Sequence, residues 1–516
     1  MKTAATDRRF GLTALAFVAA VLAYRLLLLA IFPYDLYGDE AQYWVWSLTP
    51  DWGYYSKPPM IAWIITATTA LFGDGLFGIK LGAPLLHAAT ALLMFLLGRR
   101  LADARAGLWA AVVYTLMPAV GLSSFIISTD APLLFFWALS LYCLIRAFDD
   151  GDWSWWLATG AAAGLGLLSK YNMGLFLVCA LLYVLWSPER RHWLRSPRPW
   201  AGALVAALIY STNLAWNWAN DFVSYRHTHD ISHLDRSDGL HPENLLSFFG
   251  EQFAVFGPIA FALLLIVVLR RTPRPGDDRM RLLLSFVLPW FVAIGLLSLL
   301  SRANANWGAP MYVGGTLLLV IWLLERRLTG WLKAALAFNL VLVLGMYHYD
   351  ALMRAVGAEM TRAGDPYKFV RGWSELGRQT EELMRRYPDA VLVTDHRMTA
   401  AQLLYYARGV PVQRKWNPGG GGIGDHFDLT IPFDPQEAGT AIYVSYVPRR
   451  PVAHKDPLTD RYADVESLDD LVVPIHRDHA LHYRVFRLSD HPTADGELPP
   501  DRGMGEDGAP EPDRAS

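Results

Sequence analysis

Asp39 and Glu40 stand side by side in the stretch YGDEAQYWVWSLTPDWGYYSKPPMIAW (Tyr37–Trp63), with Lys57 alone before Pro58-Pro59. Acids set among aromatic rings are partly shielded from water, which raises their basicity toward the range of a general base. The plain alternative is a pair of solvated carboxylates at a helix start, where the dipole favours negative charge. The rings of Tyr37, Tyr43, Trp44, Trp46, Tyr54 and Tyr55 also admit two readings. Aromatic belts gather at membrane interfaces, and aromatic faces beside acids also suit a sugar ring. Lys57 is either a snorkelling interfacial lysine or a compact cation stiffened by the two prolines and suited to a phosphate.

These residues must be positioned by apolar helices. The chain has 516 residues, 53% hydrophobic and 18% charged, with a net charge of −2. That balance excludes the basic field of a nucleic-acid binder. Cys143 and Cys179 both fall in apolar runs, which argues against a disulfide framework. Eleven runs approach the length of a bilayer span: roughly 10–32, 80–98, 106–127, 131–148, 154–169, 171–187, 200–216, 251–269, 282–300, 307–324 and 330–348. The first begins behind Arg8-Arg9 without a small-residue cleavage site, as a retained anchor does.

Arginine pairs punctuate alternate loops, at Arg8-Arg9, Arg99-Arg100, Arg190-Arg191, Arg270-Arg271 and Arg326-Arg327. The opposite loops hold only Lys57, Lys80, Lys170, Arg226, Arg236 and Arg302. Basic loops stay in the cytoplasm, so the N-terminus is predicted inside and the Asp39–Lys57 loop outside. Further polar residues collect on that outer side: Asp130 in STD, Lys170 in SKYN, Arg226 in NWANDFVSYRHTHD, and Arg302 in SRANANW. Lys170 and Arg302 are additional candidates for a lipid phosphate. Arg25, within the first span, is predicted to need an acid or a lipid phosphate beside it. His227 and His229 have the look of a metal pair, but such spacing in a polar loop is weak ground for one. Beyond the last span, residues 349–493 read as a small α/β domain: helices in EELMRRYP and MTAAQLLYYARG, strands in AVLVTD, AIYVSYV and HYRVFRL. The glycine run in NPGGGGIGD lacks the strand-then-helix setting of a phosphate cradle. From Ala494 the composition predicts disorder.

The segments DEAQYWVWS, GYYSKPPMIAW, STDAPLLFFW, LSKYNMGL, WNWANDFVSYR and NANWGAPMY, with VLVTDHRMTAAQLLYYARGVPV outside, resemble the GT-C superfamily of integral-membrane glycosyltransferases. The likeness is to glycosyltransferase family 39 and its bacterial relatives, the aminoarabinose transferase of lipid A and the protein O-mannosyltransferases. It covers most of residues 25–430. The resemblance implies a polytopic α-helical membrane domain over residues 1–348, with about 11–13 spans and an extracytoplasmic α/β domain after it. It implies Asp39 as catalytic base with Glu40 beside it, Asp130 as a second external acid, and Lys57 holding the donor phosphate. Arg226 lies where relatives place another phosphate-binding arginine. One position departs: Ser56 stands where the aminoarabinose transferase has Glu, a residue tied to that branch's accessory metal site.

The expected activity is sugar transfer from a polyprenyl-phosphate donor to an envelope acceptor on the outer face of a bacterial inner membrane, with lipid A or lipopolysaccharide favoured. Protein hydroxyls are the alternative acceptor. A divalent metal is compatible with this chemistry but not required, since the leaving group is already a phosphate. A transporter or flippase is the rival from another class; it would place charges deep in several helices and show inverted repeats.

Overall fold

In lipid a backbone must satisfy its own polar groups, and the long apolar runs accordingly form helices. The computed structural model describes residues 2–32, 34–231, 239–270, 277–418, 422–436, 439–447 and 458–490. The segment from Ala494 lies outside the described residues. Five helices are long and apolar enough to span a membrane: Ala5–Ile31, Leu76–Leu101, Asp130–Asp150, Asp278–Leu300 and Thr329–Tyr347. Two sharply bent pairs, Tyr171–Trp186 with Pro188–Arg195 and Pro242–Val255 with Pro258–Arg270, raise the number to as many as seven.

The remaining expected spans are helical but short or interrupted. The run 106–127 breaks between Ala104–Thr115 and Pro118–Ser123, because Pro118 cannot continue the preceding hydrogen-bond ladder. Trp153–Leu167 and Met311–Glu325 have 15 residues each. Pro197–Ala219 has 23 residues, but its last turns carry Asn213 and Asn217. Helices Trp153–Leu167 and Pro197–Ala219 approach backbone to backbone: a Cβ on Gly160 would stand 2.0 Å from the Gly202 carbonyl oxygen. Small residues permit such close crossings in membranes. Cys143 and Cys179 are buried and free.

Three helices frame the site: α1 (Lys2–Ile31), α2 (Gly38–Leu48) and α3 (Met60–Phe72). The short α2 starts where the Glu40 side chain reaches back to accept from the Tyr37 amide at 2.8 Å, a carboxylate cap favoured by the dipole. It ends before Pro50, which disfavours helix at Thr49.

Among the described residues, 1–360 with 364–370 form one compact unit and the later residues, with 361–363, another. The second unit carries a six-stranded sheet of β1 (Val391–Thr394), β2 (Gln413–Lys415), β3 (Thr440–Tyr446), β4 (Asp464–Ser467), β5 (Leu471–His476) and β6 (His479–Ser489). The order is β2-β1-β3-β6-β4, with β5 also on β6. β2, β1 and β3 run parallel, while β6 pairs antiparallel with β3, β4 and β5. β1, β3 and β6 coincide with the three strands read from hydrophobic patterning. β2 has three residues, β4 is exposed along its whole length and β5 carries Pro474, so none of them shows the buried apolar run that marks β1.

Candidate active site

Asp39 and Glu40 are neighbours on α2 but face different surroundings. Asp39 is half-buried, whereas Glu40 is 0% exposed. Both Glu40 oxygens are occupied: Oε2 accepts from Tyr37 N at 2.8 Å and pairs with Lys80 Nζ at 3.1 Å, and Oε1 accepts from Ile127 N at 2.7 Å. Burial pushes the Glu40 carboxyl above its usual range, against the pull of Lys80 and the two amides. Lys80 Nζ also donates to the Asp35 carbonyl at 3.3 Å. This geometry suits Glu40 to holding the loop, and leaves Asp39 as the acid of the pair with an exposed portion.

Ile127 leads into Asp130, whose carboxylate is held from two other segments. Lys170 Nζ lies 2.6 Å from Oδ1 and Asn306 Nδ2 donates to Oδ2 at 2.7 Å. Lys170 therefore holds the Asp130 carboxylate in this arrangement. Two residues before it, the Leu168 carbonyl accepts from Met60 N at 2.9 Å, which ties that segment to the start of α3 and to the Lys57 turn.

The turn itself is anchored on several sides. Tyr54 N donates to the Lys57 carbonyl at 3.1 Å, and Ser224 Oγ donates to the Tyr54 carbonyl at 2.6 Å. Asn213 Nδ2 donates to the Trp52 carbonyl at 2.7 Å. A Cβ on Gly53 would lie 2.4 Å from the Trp216 ring, so only glycine lets the turn lie against that helix. Ser224 is two residues from Arg226, which is exposed on the short helix Val223–Asp230. A continuous run of bonds thus joins Asp39, Glu40, Asp130, Lys170, Lys57 and Arg226 through their segments. Lys57 is half-buried and Ser56 buried. Arg302 is exposed, near Glu251, and four residues from Asn306.

The aromatic candidates divide. Tyr37 is half-buried. Tyr43, Trp44, Tyr54 and Tyr55 are each 7% exposed or less. Tyr54 stacks on Trp46 with centroids 4.6 Å apart, and its hydroxyl donates to the Trp46 carbonyl at 3.0 Å. Burial pushes that phenol up to about 12, so it stays a donor. Tyr55 packs on His227 at 4.9 Å. These rings form the interior of the loop more than an open platform.

Arg25 corrects an expectation. It is 3% exposed and donates to neutral acceptors: Nε to Tyr347 Oη at 2.9 Å and Nη2 to the Thr115 carbonyl at 2.8 Å. An uncapped carbonyl near the break before Pro118 supplies what an acid was expected to supply. Patterning alone assigned no role to Lys80 or Asn306. The available signal was a lysine opening an apolar span, since such a charge needs a partner. Among the described residues no group of three or more His, Cys, Asp or Glu side chains is placed to hold a metal.

Residues 56–216 match the family model described as dolichyl-phosphate-mannose-protein mannosyltransferase. The lipid A galacturonosyltransferase RgtD of Rhizobium johnstonii is 33% identical over 400 residues, covering 76% of this chain and 82% of that protein. The chain belongs to the GT-C glycosyltransferase family. An undecaprenyl phosphate-alpha-4-amino-4-deoxy-L-arabinose arabinosyl transferase of Pseudomonas fluorescens is 34% identical over 170 residues, 32% of this chain and 30% of that one. The GT-C fold extends nearly end to end. ArnT from Cupriavidus metallidurans bound to undecaprenyl phosphate aligns with a TM-score of 0.59 at 17% identity, covering 92% of this chain and 97% of that one. The protein is a multi-span membrane glycosyltransferase.

Proposed function

We propose that this protein moves a sugar from a polyprenyl-phosphate carrier to lipid A, or to another lipopolysaccharide sugar, on the outer face of the inner membrane. The observation that carries the reading is the bonded layer joining the α2 acids to the Lys57 turn and to Arg226. It links the segments that carry an acid and a cation, packed over buried aromatic rings, and the arginine bias puts those segments on one side. Likeness to RgtD makes a uronic acid the first sugar to test, and the aminoarabinosyl transferases make an amino sugar the second.

In the proposed reaction the acceptor hydroxyl attacks the anomeric carbon and its proton passes to Asp39. The bond from that carbon to the phosphate oxygen breaks with inversion. The leaving polyprenyl phosphate departs with its electron pair toward Lys57 and Arg226. Cations already in place where charge develops lower the barrier without reorganisation. Lys170 and Arg302 take lesser parts: the first through Asp130, the second at the edge of the same layer.

The test is transfer by the purified protein in nanodiscs, with undecaprenyl-phosphate sugars as donors and lipid A or a hydroxyl-bearing peptide as acceptor. Release of undecaprenyl phosphate with a matching mass gain on lipid A supports the reading. A mass gain only on the peptide moves the acceptor to protein. Movement of intact donor across the bilayer without sugar release would make the protein a transporter.

A further inference from the structure

The pair Glu40–Lys80 is buried more completely than either group tolerates without reason. Glu40 is 0% and Lys80 2% exposed. A buried ion pair rarely adds stability over apolar residues of the same size. Its value lies in fixing geometry, and the partners here are all backbone or charge. Glu40 accepts from the amides of Tyr37 and Ile127, and Lys80 bridges back to the Asp35 carbonyl. Four points on three segments are thereby held to one ion pair: residues 35 and 37 before α2, residue 80 at the start of a span, and residue 127 ahead of Asp130. Asp39 adjoins Glu40 on the same helix, about 100° around its axis. Rotation or retreat of Glu40 carries Asp39 with it.

We propose that Glu40 and Lys80 are a positioning pair that sets the carboxylate of Asp39 for sugar transfer, Glu40 itself taking no proton from the acceptor. The inference rests on Asp39 as base. With no exposed surface and all three contacts made, Glu40 offers no acceptor hydroxyl a path. It would instead hold α2 within the tolerance that a near-attack geometry demands, where about 1 Å of misplacement costs on the order of a hundredfold.

The experiment compares Glu40→Asp, Glu40→Gln and Lys80→Arg in full-length protein in nanodiscs, reading kcat, donor KM, the pH profile of kcat and the melting temperature. Glu40→Asp keeps the charge but withdraws the carboxylate by one methylene. The expected result is a folded protein with kcat down about 10- to 100-fold, donor KM within about twofold and an unchanged pH profile. Glu40→Gln is expected to lower kcat and keep the same profile. Wild-type kcat in folded Glu40→Asp would overturn the positioning role. Loss of the pH dependence in Glu40→Gln would also overturn it, because Glu40 would then be the base. If Glu40→Asp does not fold, Lys80→Arg decides by the same criteria, since it leaves both amide bonds to Glu40 in place. Asp39→Asn is run alongside. Near-normal transfer by that variant rejects Asp39 as base; a dead Asp39→Asn beside an unimpaired Glu40→Asp rejects the positioning pair alone.

Discussion

Lys170 and Asp130 form an ion pair at 2.6 Å, and Asn306 completes it by donating to the second carboxylate oxygen at 2.7 Å. The two charged side chains are 15% and 12% exposed. Lys170→Met strands the carboxylate in a mostly covered site. Surface pairs contribute about 0–1 kcal/mol and removal of one partner from a buried pair costs about 3–5 kcal/mol, so about 2 kcal/mol is expected here. Asp130→Asn added to Lys170→Met should recover part of the loss by removing the stranded charge. Melting temperatures check this. Donor titration should be little changed by Lys170→Met, since its ammonium is already engaged.

The loops that carry the site were legible because they interrupt greasy runs with acids, cations and rings. What those groups bond to was not. Glu40 and Lys80 are 40 positions apart and Asp130 and Asn306 176 apart, and no local pattern encodes such distances. Aromatic residues looked like an open platform because a sequence cannot show that Trp46 and Tyr54 stack on each other. Breaks within spans were not legible where apolar composition continues across a proline, as at Pro118. In the second unit the buried strands announced themselves, four-residue β1 among them, and the more exposed edge strands did not.

Asp39→Asn preserves size and most hydrogen bonding but removes the proton acceptor. General-base catalysis contributes about 10²–10⁴-fold, so turnover should fall by that factor while the donor lipid still binds. Single-turnover transfer beside a donor-binding titration separates the two. Near-normal turnover would remove Asp39 from the role.

Lys57→Ala should act on binding first. A charge-assisted contact to phosphate is worth about 1.5–3 kcal/mol, so donor affinity should weaken about 10- to 100-fold. The rate should drop further, because the departing phosphate gains charge as the bond breaks. Lys57→Arg keeps the charge but changes its shape, and partial recovery is expected. Wild-type donor affinity in Lys57→Ala would reduce the lysine to an interfacial anchor.

His426 gives the second unit an acid-sensitive element. It is 8% exposed, and burial lowers its pKa from 6.5 to about 4. The folded state therefore keeps it neutral. Its contribution is complete above pH 6.5 and is lost as pH falls through 6.5 toward 4, where the unfolded chain binds the proton first. A shift of that size is worth at most about 3 kcal/mol. Its neighbours Asp425 and Asp428 both pair with Lys415, at 2.9 and 2.6 Å. Hydrogen exchange of the β1–β3 amides in the full-length protein should accelerate between pH 6.5 and 4, after correction for intrinsic rates. His426→Asn should flatten that dependence; an unaltered slope would assign it to other groups.

Orientation is predicted from the same arginines that first separated the loops. Arg99-Arg100, Arg190-Arg191 and Arg326-Arg327 mark one side. Arg100 and Arg190 both pair with Asp149, at 3.0 and 3.5 Å, and Arg190 reaches Asp278 at 3.1 Å, so two of these basic segments meet in one charged cluster. Asp130, Lys170 and Asn306 meet in another. With basic loops retained inside, alkaline phosphatase fused after Arg195 should be inactive, and fused after Asp350 active. The opposite pattern would put Asp39 and Lys57 in the cytoplasm. A polyprenyl-phosphate donor would then be met before it is flipped, and the outer-face reaction would fail with the topology.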